Sequence, residues 1–291
     1  MKSSGAVMIT QVEKGGVFRA LHERNGAFII PNPWDVGTAR LLAHSGFEAL
    51  ATTSMGYAFS LGRKDNSLDR KETLAYASAI ASATQLPVSA DLENGFGDSP
   101  QVVAETIKLA AAAGVVGGSI EDSTGRPDHP IYEIELATER VRAAVSAARA
   151  LPFPFTLTAR AENYWHGRPD LGDTIRRLQA YEKAGADVLY APGLSTREDI
   201  AAVVNSVNHP VNVVMGLQGV QLSLSELSGM GVKRVSVGSA LCRTALAAFL
   251  RAAREMREHG TFSFATEAVN PREISAIFDP YRHEYSAASN Q

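Results

Sequence analysis

The sequence predicts a (β/α)8 barrel of the TIM type with extra terminal helices, and three observations carry that prediction. Short apolar, β-rich runs alternate about eight times with Ala-rich helical stretches, and no linker divides the series. Gly46, Gly114, Gly185 and Gly231 each follow an apolar helical stretch as a C-cap does. The 291 residues, 45% of them hydrophobic, are enough for one large core. A doubly wound open sheet is the competing architecture. In both, function belongs at the carboxyl ends of the strands.

Taken in order, residues 11 to 24 read as a helix ahead of the barrel. Phe28-Ile29-Ile30 is the first strand and leads to a helix from about Asp35 to Ser45; Ala49-Leu50-Ala51-Thr52 leads to one from about Asp69 to Thr84. Leu86 to Ala90 and Val115 to Ile120 are the third and fourth strands, with helices from about Ser99 to Ala113 and Glu133 to Ala150. Phe155 to Thr158 and Val188 to Tyr190 precede helices near Asp170 to Ala184 and Thr196 to Val207. Val211 to Val214 and Arg234 to Val237 complete the strands, with helices near Ser223 to Gly229 and Ser239 to His259. We therefore expect a barrel domain over residues 1–260 and a C-terminal helical extension over 261–291. In that extension, Asn270-Pro271 opens a short amphipathic helix through Phe278 with an apolar edge.

Bulk properties exclude several function classes. A net charge of −3 removes the electrostatic case for nucleic acid as the main partner. No apolar stretch approaches the ~20 residues of a membrane span, and the N-terminus carries no signal-peptide core. Cys242 is the single cysteine, so no intrachain disulfide forms and a cytoplasmic setting is expected.

The chemistry concentrates in two carboxylate pairs, Asp91-Leu92-Glu93 and Glu121-Asp122, each ending a buried strand. Strand alternation puts Asp91 and Glu93 on one side and Leu92 on the other. Acids are costly to bury, so a cation or a reaction must compensate them. An oxygen-rich cluster of this kind suits Mg2+ or Mn2+. Collected with the other polar strand ends, among them Asn32, Thr52 to Ser54, Arg160, Glu162, Asn212 and Ser236, they describe a site for a small anion. Arg160 can grip a carboxylate in a two-pronged hydrogen bond.

At this point the residues resemble a known family. Asn32-Pro33-Trp34-Asp35, Thr52-Thr53-Ser54, Leu61 to Asp65, Asp91 to Gly97, Gly118 to Asp122 and Ala159-Arg160 look like the isocitrate lyase/phosphoenolpyruvate mutase superfamily. The match continues through Ala184 to Asp187 and Gly231 to Gly238, covering roughly residues 25 to 260. The resemblance implies a Mg2+-dependent lyase cleaving a C–C bond of a small 2-oxo or 2-hydroxy (di)carboxylic acid through an enolate. It implies Asp91 as a metal ligand, Glu93 and Glu121 holding the metal's waters, and Arg160 on the substrate carboxylate. Backbone amides at Thr53, Ser54 and Met55, with Asn212, would bind the same substrate. Asp65 would ride a gating loop from about Gly62 to Asn66. Terminal helices exchanged between subunits make a homodimer or homotetramer the implied assembly, with a helix folded back on its own barrel as the alternative.

The departures from that family are local. Where its isocitrate-cleaving members carry a Lys-Lys-Cys-Gly-His string, this chain reads Ser123 to Pro130 without a cysteine. The Lys and Asn of phosphonopyruvate-handling members are missing from that loop, and Ala191-Pro192-Gly193 stands where they place a histidine. C–C lyase chemistry is therefore expected ahead of phosphoenolpyruvate mutase or phosphonopyruvate hydrolase chemistry, with a non-catalytic 2-oxo acid binding protein as the third reading. His129 is the candidate proton donor in the cysteine-free loop, since imidazole titrates near neutrality. Arg126 could meet a second substrate carboxylate, Tyr57 and Trp165 could line the pocket, and Tyr132 and Cys242 are expected to pack.

Overall fold

The computed structural model describes residues 9–217 and 219–284, so the far ends of both expected segments lie outside the described residues. Eight parallel strands form one sheet: β1 (Phe28–Ile30), β2 (Leu50–Ala51), β3 (Val88–Asp91), β4 (Gly117–Glu121), β5 (Thr156–Arg160), β6 (Val188–Tyr190), β7 (Val211–Val214) and β8 (Arg234–Ser236). Their order, β1-β8-β7-β6-β5-β4-β3-β2, leaves β1 and β2 at the two ends. Ala51 N–H donates to Pro31 O at 3.1 Å across that seam, closing the expected barrel.

Among the described residues, eleven α-helices accompany the strands: α1 (Gln11–Glu23), α2 (Val36–His44), α3 (Ser54–Ser60), α4 (Arg70–Ala83), α5 (Pro100–Ala112), α6 (Ile134–Arg149), α7 (Leu171–Lys183), α8 (Arg197–Asn205), α9 (Leu224–Gly229), α10 (Ala240–His259) and α11 (Pro271–Phe278). Their starts are set by side chains that satisfy the free N–H groups of the first turn. Asp35, Asp69 and Ser223 form reciprocal capping boxes with Thr38, Glu72 and Glu226. The four glycine stops hold, with φ between +85° and +99° at Gly46, Gly114, Gly185 and Gly231, a conformation only glycine enters freely.

The apolar core lies between the sheet and its helices rather than inside the barrel. Leu50, Val88, Leu92 and Leu157 pack on Ile80, Ile107 and Ala144 along one side. Leu189, Val211 and Val235 pack on Leu178, Tyr181 and Val203 along the other. By contrast, the lumen is polar: Arg234 on β8 donates to the Thr158 hydroxyl on β5 at 2.9 Å, and those strands are not neighbours. The bond therefore spans the barrel, where TIM folds usually stack branched apolar side chains.

One departure matters for the site. The short helix α3 was not expected; Thr53 starts it, its hydroxyl accepting from Gly56 N–H at 3.2 Å. At the C-terminal end, α10 buries only Cys242 among its own residues, while α11 packs against α2. Among the described residues, no helix is long and apolar enough to cross a membrane.

Candidate active site

A cavity of about 140 Å³ opens at the carboxyl ends of the strands and reaches down into the polar lumen. Asp65, Asp91, Arg160, Asn212 and the Thr53 to Met55 segment all line it, so the structure brings these expected site residues together.

Arg160, at the end of β5, organises the charge. Its Nη1 donates to Asp91 Oδ1 at 2.9 Å, its Nη2 lies 3.1 Å from Glu121 Oε2, and its Nε donates to Glu162 Oε1 at 2.7 Å. Burial alone would lower the arginine's proton affinity, but Glu162, Glu121 and Asp91 hold it well above its ordinary value. The carboxyls show the complementary strain. Burial pushes Glu162 up to about 7 against the pull of Arg160, and raises Glu121 well above the usual carboxylate range. Burial, then Asp91 and Asp65, push Glu93 up to about 8.

Glu93 reaches this cluster by a route that alternation did not foresee. β3 ends at Asp91, and Glu93 sits in the following turn at φ +48°, a left-handed conformation that costs a non-glycine residue. Leu92 is fully buried in the core between the two acids, and Glu121 N–H donates to Glu93 O at 3.0 Å.

Can these residues hold a divalent cation? Among the described residues, no three His, Cys, Asp or Glu side chains converge closely enough to hold an ion directly. Yet the buried Glu93 Oε1 has no hydrogen-bond partner, and a buried unpaired carboxylate oxygen is the kind of atom a hydrated cation satisfies. The donors are all oxygens, as Mg2+ requires. The set therefore fits an ion held by Asp91, with Glu93 and Glu121 acting through water, better than a dry carboxylate cage.

Of the three expected backbone donors, two are already engaged. Thr53 N–H donates to the Tyr76 hydroxyl at 3.4 Å, and Ser54 N–H donates to Asp91 Oδ2 at 3.2 Å, reinforced by the Ser54 hydroxyl at 2.9 Å. The α3 turn aims both at the protein rather than at a substrate, and the Met55 amide is the remaining donor of the three. Asp65 does face the cavity, and burial raises its carboxyl.

The loop after β4 stays away from the cavity. An antiparallel bridge pairs Ser123 with Ile131, and Asp98 holds both the Arg126 Nη1 at 2.8 Å and the Tyr132 hydroxyl at 2.5 Å. Arg126 is thus committed to Asp98 rather than directed at the cavity. The His129 side chain is 81% exposed, 3.9 Å from Asp128, and is not part of the cavity wall. Tyr57 stacks on Tyr76 with ring centroids 4.1 Å apart, whereas Trp165 does line the mouth. Asp122 belongs to the scaffold: buried, it accepts from Glu162 N–H at 2.8 Å, Tyr181 OH at 2.6 Å and Arg177 Nη1 at 3.1 Å.

Tyr190 and Arg234, both in the cavity wall, are not among the residues the sequence singles out. A signal was present for Arg234. In Arg234-Val235-Ser236 it shares the alternation phase of Ser236, opposite to the core residue Val235.

Comparison with known proteins agrees with the fold. The family model described as phosphoenolpyruvate phosphomutase matches residues 18–257. A crystal structure of a Burkholderia cenocepacia J2315 protein described as a lyase/mutase superposes with a TM-score of 0.91 at 66% identity, covering 92% of this chain and 96% of that one. The 2-methylisocitrate lyase of Escherichia coli K12 is 30% identical over 207 residues, 68% of each chain. A phosphonopyruvate hydrolase, crystallised with oxalate and Mg2+, superposes with a TM-score of 0.84 at 25% identity over 97% of this chain and 99% of that one.

Proposed function

Because the chain belongs to the phosphoenolpyruvate phosphomutase family, we propose that it is a Mg2+-dependent lyase cleaving a C–C bond of a small 2-oxo or 2-hydroxy dicarboxylic acid. The observation that carries this reading is Arg160, held by three carboxylates at the cavity mouth beside the unpartnered Glu93 oxygen. Asp91, Glu93 and Glu121 would hold the cation, directly or through water; Mn2+ is the substitute with the same ligand preference. When bound, the cation supplies Lewis-acid stabilisation for charge developing on the substrate's oxygens. Arg160 orients the substrate carboxylate, and the Met55 amide adds a donor at the start of α3. Asp65, a partly buried carboxyl with raised proton affinity, would hold or release a proton at the mouth.

Phosphorus–carbon chemistry is less well supported, because the loop after β4 offers no Lys or Asn and is fixed to Asp98. The deciding assay offers purified protein and Mg2+ oxaloacetate, substituted malates, methylisocitrate and phosphonopyruvate, and follows release of pyruvate, glyoxylate or oxalate. Binding without any product would instead support a 2-oxo acid binding protein. We place the enzyme in the cytoplasm as a dimer or tetramer. The exposed apolar residues of α10, with Phe249 at 68%, Leu250 at 53% and Met256 at 44%, support a subunit contact there.

A further inference from the structure

Arg234 is the second arginine of the cavity wall, and its surroundings are unlike those of Arg160. It is 5% exposed, and no carboxylate among the described residues pairs with it. Its acceptors are all neutral. Nε donates to Asn212 Oδ1 at 2.8 Å, Nη2 to Thr158 Oγ1 at 2.9 Å, and Nη1 lies 3.4 Å from His22 Nε2. His22 itself is locked: its Nδ1 lies 2.8 Å from Phe18 O one helical turn back, which makes Nδ1 the protonated nitrogen and leaves Nε2 to accept. Burial and Arg234 lower the imidazole to about 3, so it stays neutral.

These bonds use three of the five N–H groups that a guanidinium carries. A buried charge solvated only by neutral groups is costly unless an anion reaches it. The cavity does reach it, and around that deep end stand the hydroxyl-bearing residues Ser89, Ser119 and Ser236 with Asn212. Asn212 is oriented by the same arginine: with Oδ1 turned to Arg234, its Nδ2 donates to Ser236 Oγ at 3.0 Å on the cavity side. Amide, hydroxyl and guanidinium donors therefore converge on the floor, while all the acids gather one layer higher around Arg160.

We propose that the barrel lumen contains a second anion subsite, built on Arg234 and Asn212, that receives the distal carboxylate of a dicarboxylate substrate. The subsite deepens the lyase reading above and rests on it for the identity of the anion; a free inorganic anion would satisfy the same donors. A dicarboxylate would then lie along the barrel axis, one end at Arg160 and the other at Arg234.

The test is calorimetric titration in Mg2+ with malate and lactate, which share a 2-hydroxy acid head and differ by the distal carboxylate, on wild type, Arg234→Met and Asn212→Asp. Wild type should favour malate by about ten- to a hundredfold, the range of one charge-assisted hydrogen bond. Arg234→Met should reduce that preference to about twofold while lactate still binds. Asn212→Asp gives the arginine an internal counterion without removing it, so it should lose the preference even if Arg234→Met folds poorly. In a parallel arm, rising chloride should raise the thermal midpoint of wild type and not of Arg234→Met if the subsite takes a free anion. A malate preference unchanged in both variants, with chloride response also unchanged, overturns the subsite. Failure of either acid to bind wild type, with Arg234-dependent chloride stabilisation intact, overturns the lyase reading and leaves the subsite standing.

Discussion

Arg160 Nη1 stands 2.9 Å from Asp91 Oδ1, with both side chains less than one-fifth exposed. The carboxylate expected to bind the metal is therefore also a partner of the arginine expected to bind substrate. Removing it should uncouple the two. Asp91→Ala is expected to abolish Mg2+-dependent binding of pyruvate or oxaloacetate, a loss of at least about a hundredfold by calorimetry. Unchanged affinity would remove Asp91 from the ligand set.

Glu93 sets a pH dependence. Its folded carboxyl titrates near 8 against an ordinary value of 4.5, with burial the largest cause. Between those values the folded chain holds a proton that the unfolded chain has released, so stability falls as pH rises from about 4.5 through about 8. Urea melts in EDTA across that window should show the decline, and Glu93→Gln should flatten it. Added Mg2+ should oppose it by favouring the ionised carboxylate. A Glu93→Gln profile parallel to wild type would contradict the assignment.

Asp122 should matter to folding more than to chemistry. It is 2% exposed and accepts from Arg177, Tyr181 and the Glu162 amide. Asp122→Ala should cost about 3 kcal/mol or more in urea unfolding, the usual penalty for stranding a buried partner. A cost under about 1 kcal/mol would show that Arg177 is satisfied by Asp173 alone.

His129 should be dispensable. With its side chain 81% exposed and outside the cavity wall, His129→Ala should keep turnover within about twofold. A hundredfold loss in kcat would mean that the loop carries the imidazole inward during the reaction.

Phe249 on α10 tests assembly. Phe249→Glu should shift the particle to a smaller mass in light scattering after gel filtration, because a charge at an apolar contact is costly. An unchanged mass would place the subunit contact elsewhere.

The barrel was legible because its signals are local. β1, β6 and β7 fall on the residues whose apolar runs announce them, and every glycine stop adopts the left-handed conformation that stopping a helix demands. The composition of the candidate cavity was legible as a set of residue types, since Asp65, Asp91, Arg160 and Asn212 do share one cavity. What was not legible depends on pairing across the fold. The α3 turn hides in Ser54-Met55-Gly56, too short for periodicity, and it spends the Ser54 amide on Asp91. Arg126 is taken up by Asp98, 28 residues earlier, a pairing that the local sequence does not signal. Arg234 read as one more charge in Lys233-Arg234, because alternation gives its direction but not its missing counterion.

The bridge between Ser123 and Ile131, with Asp98 holding Arg126 and Tyr132, pins the loop after β4 outside the cavity. The segment that brings Asp65 to the cavity wall, Gly62 to Asn66, is bounded by left-handed residues at φ +69° and +57°. Trypsin should report on that segment: ligand should protect the bonds after Arg63 and Lys64.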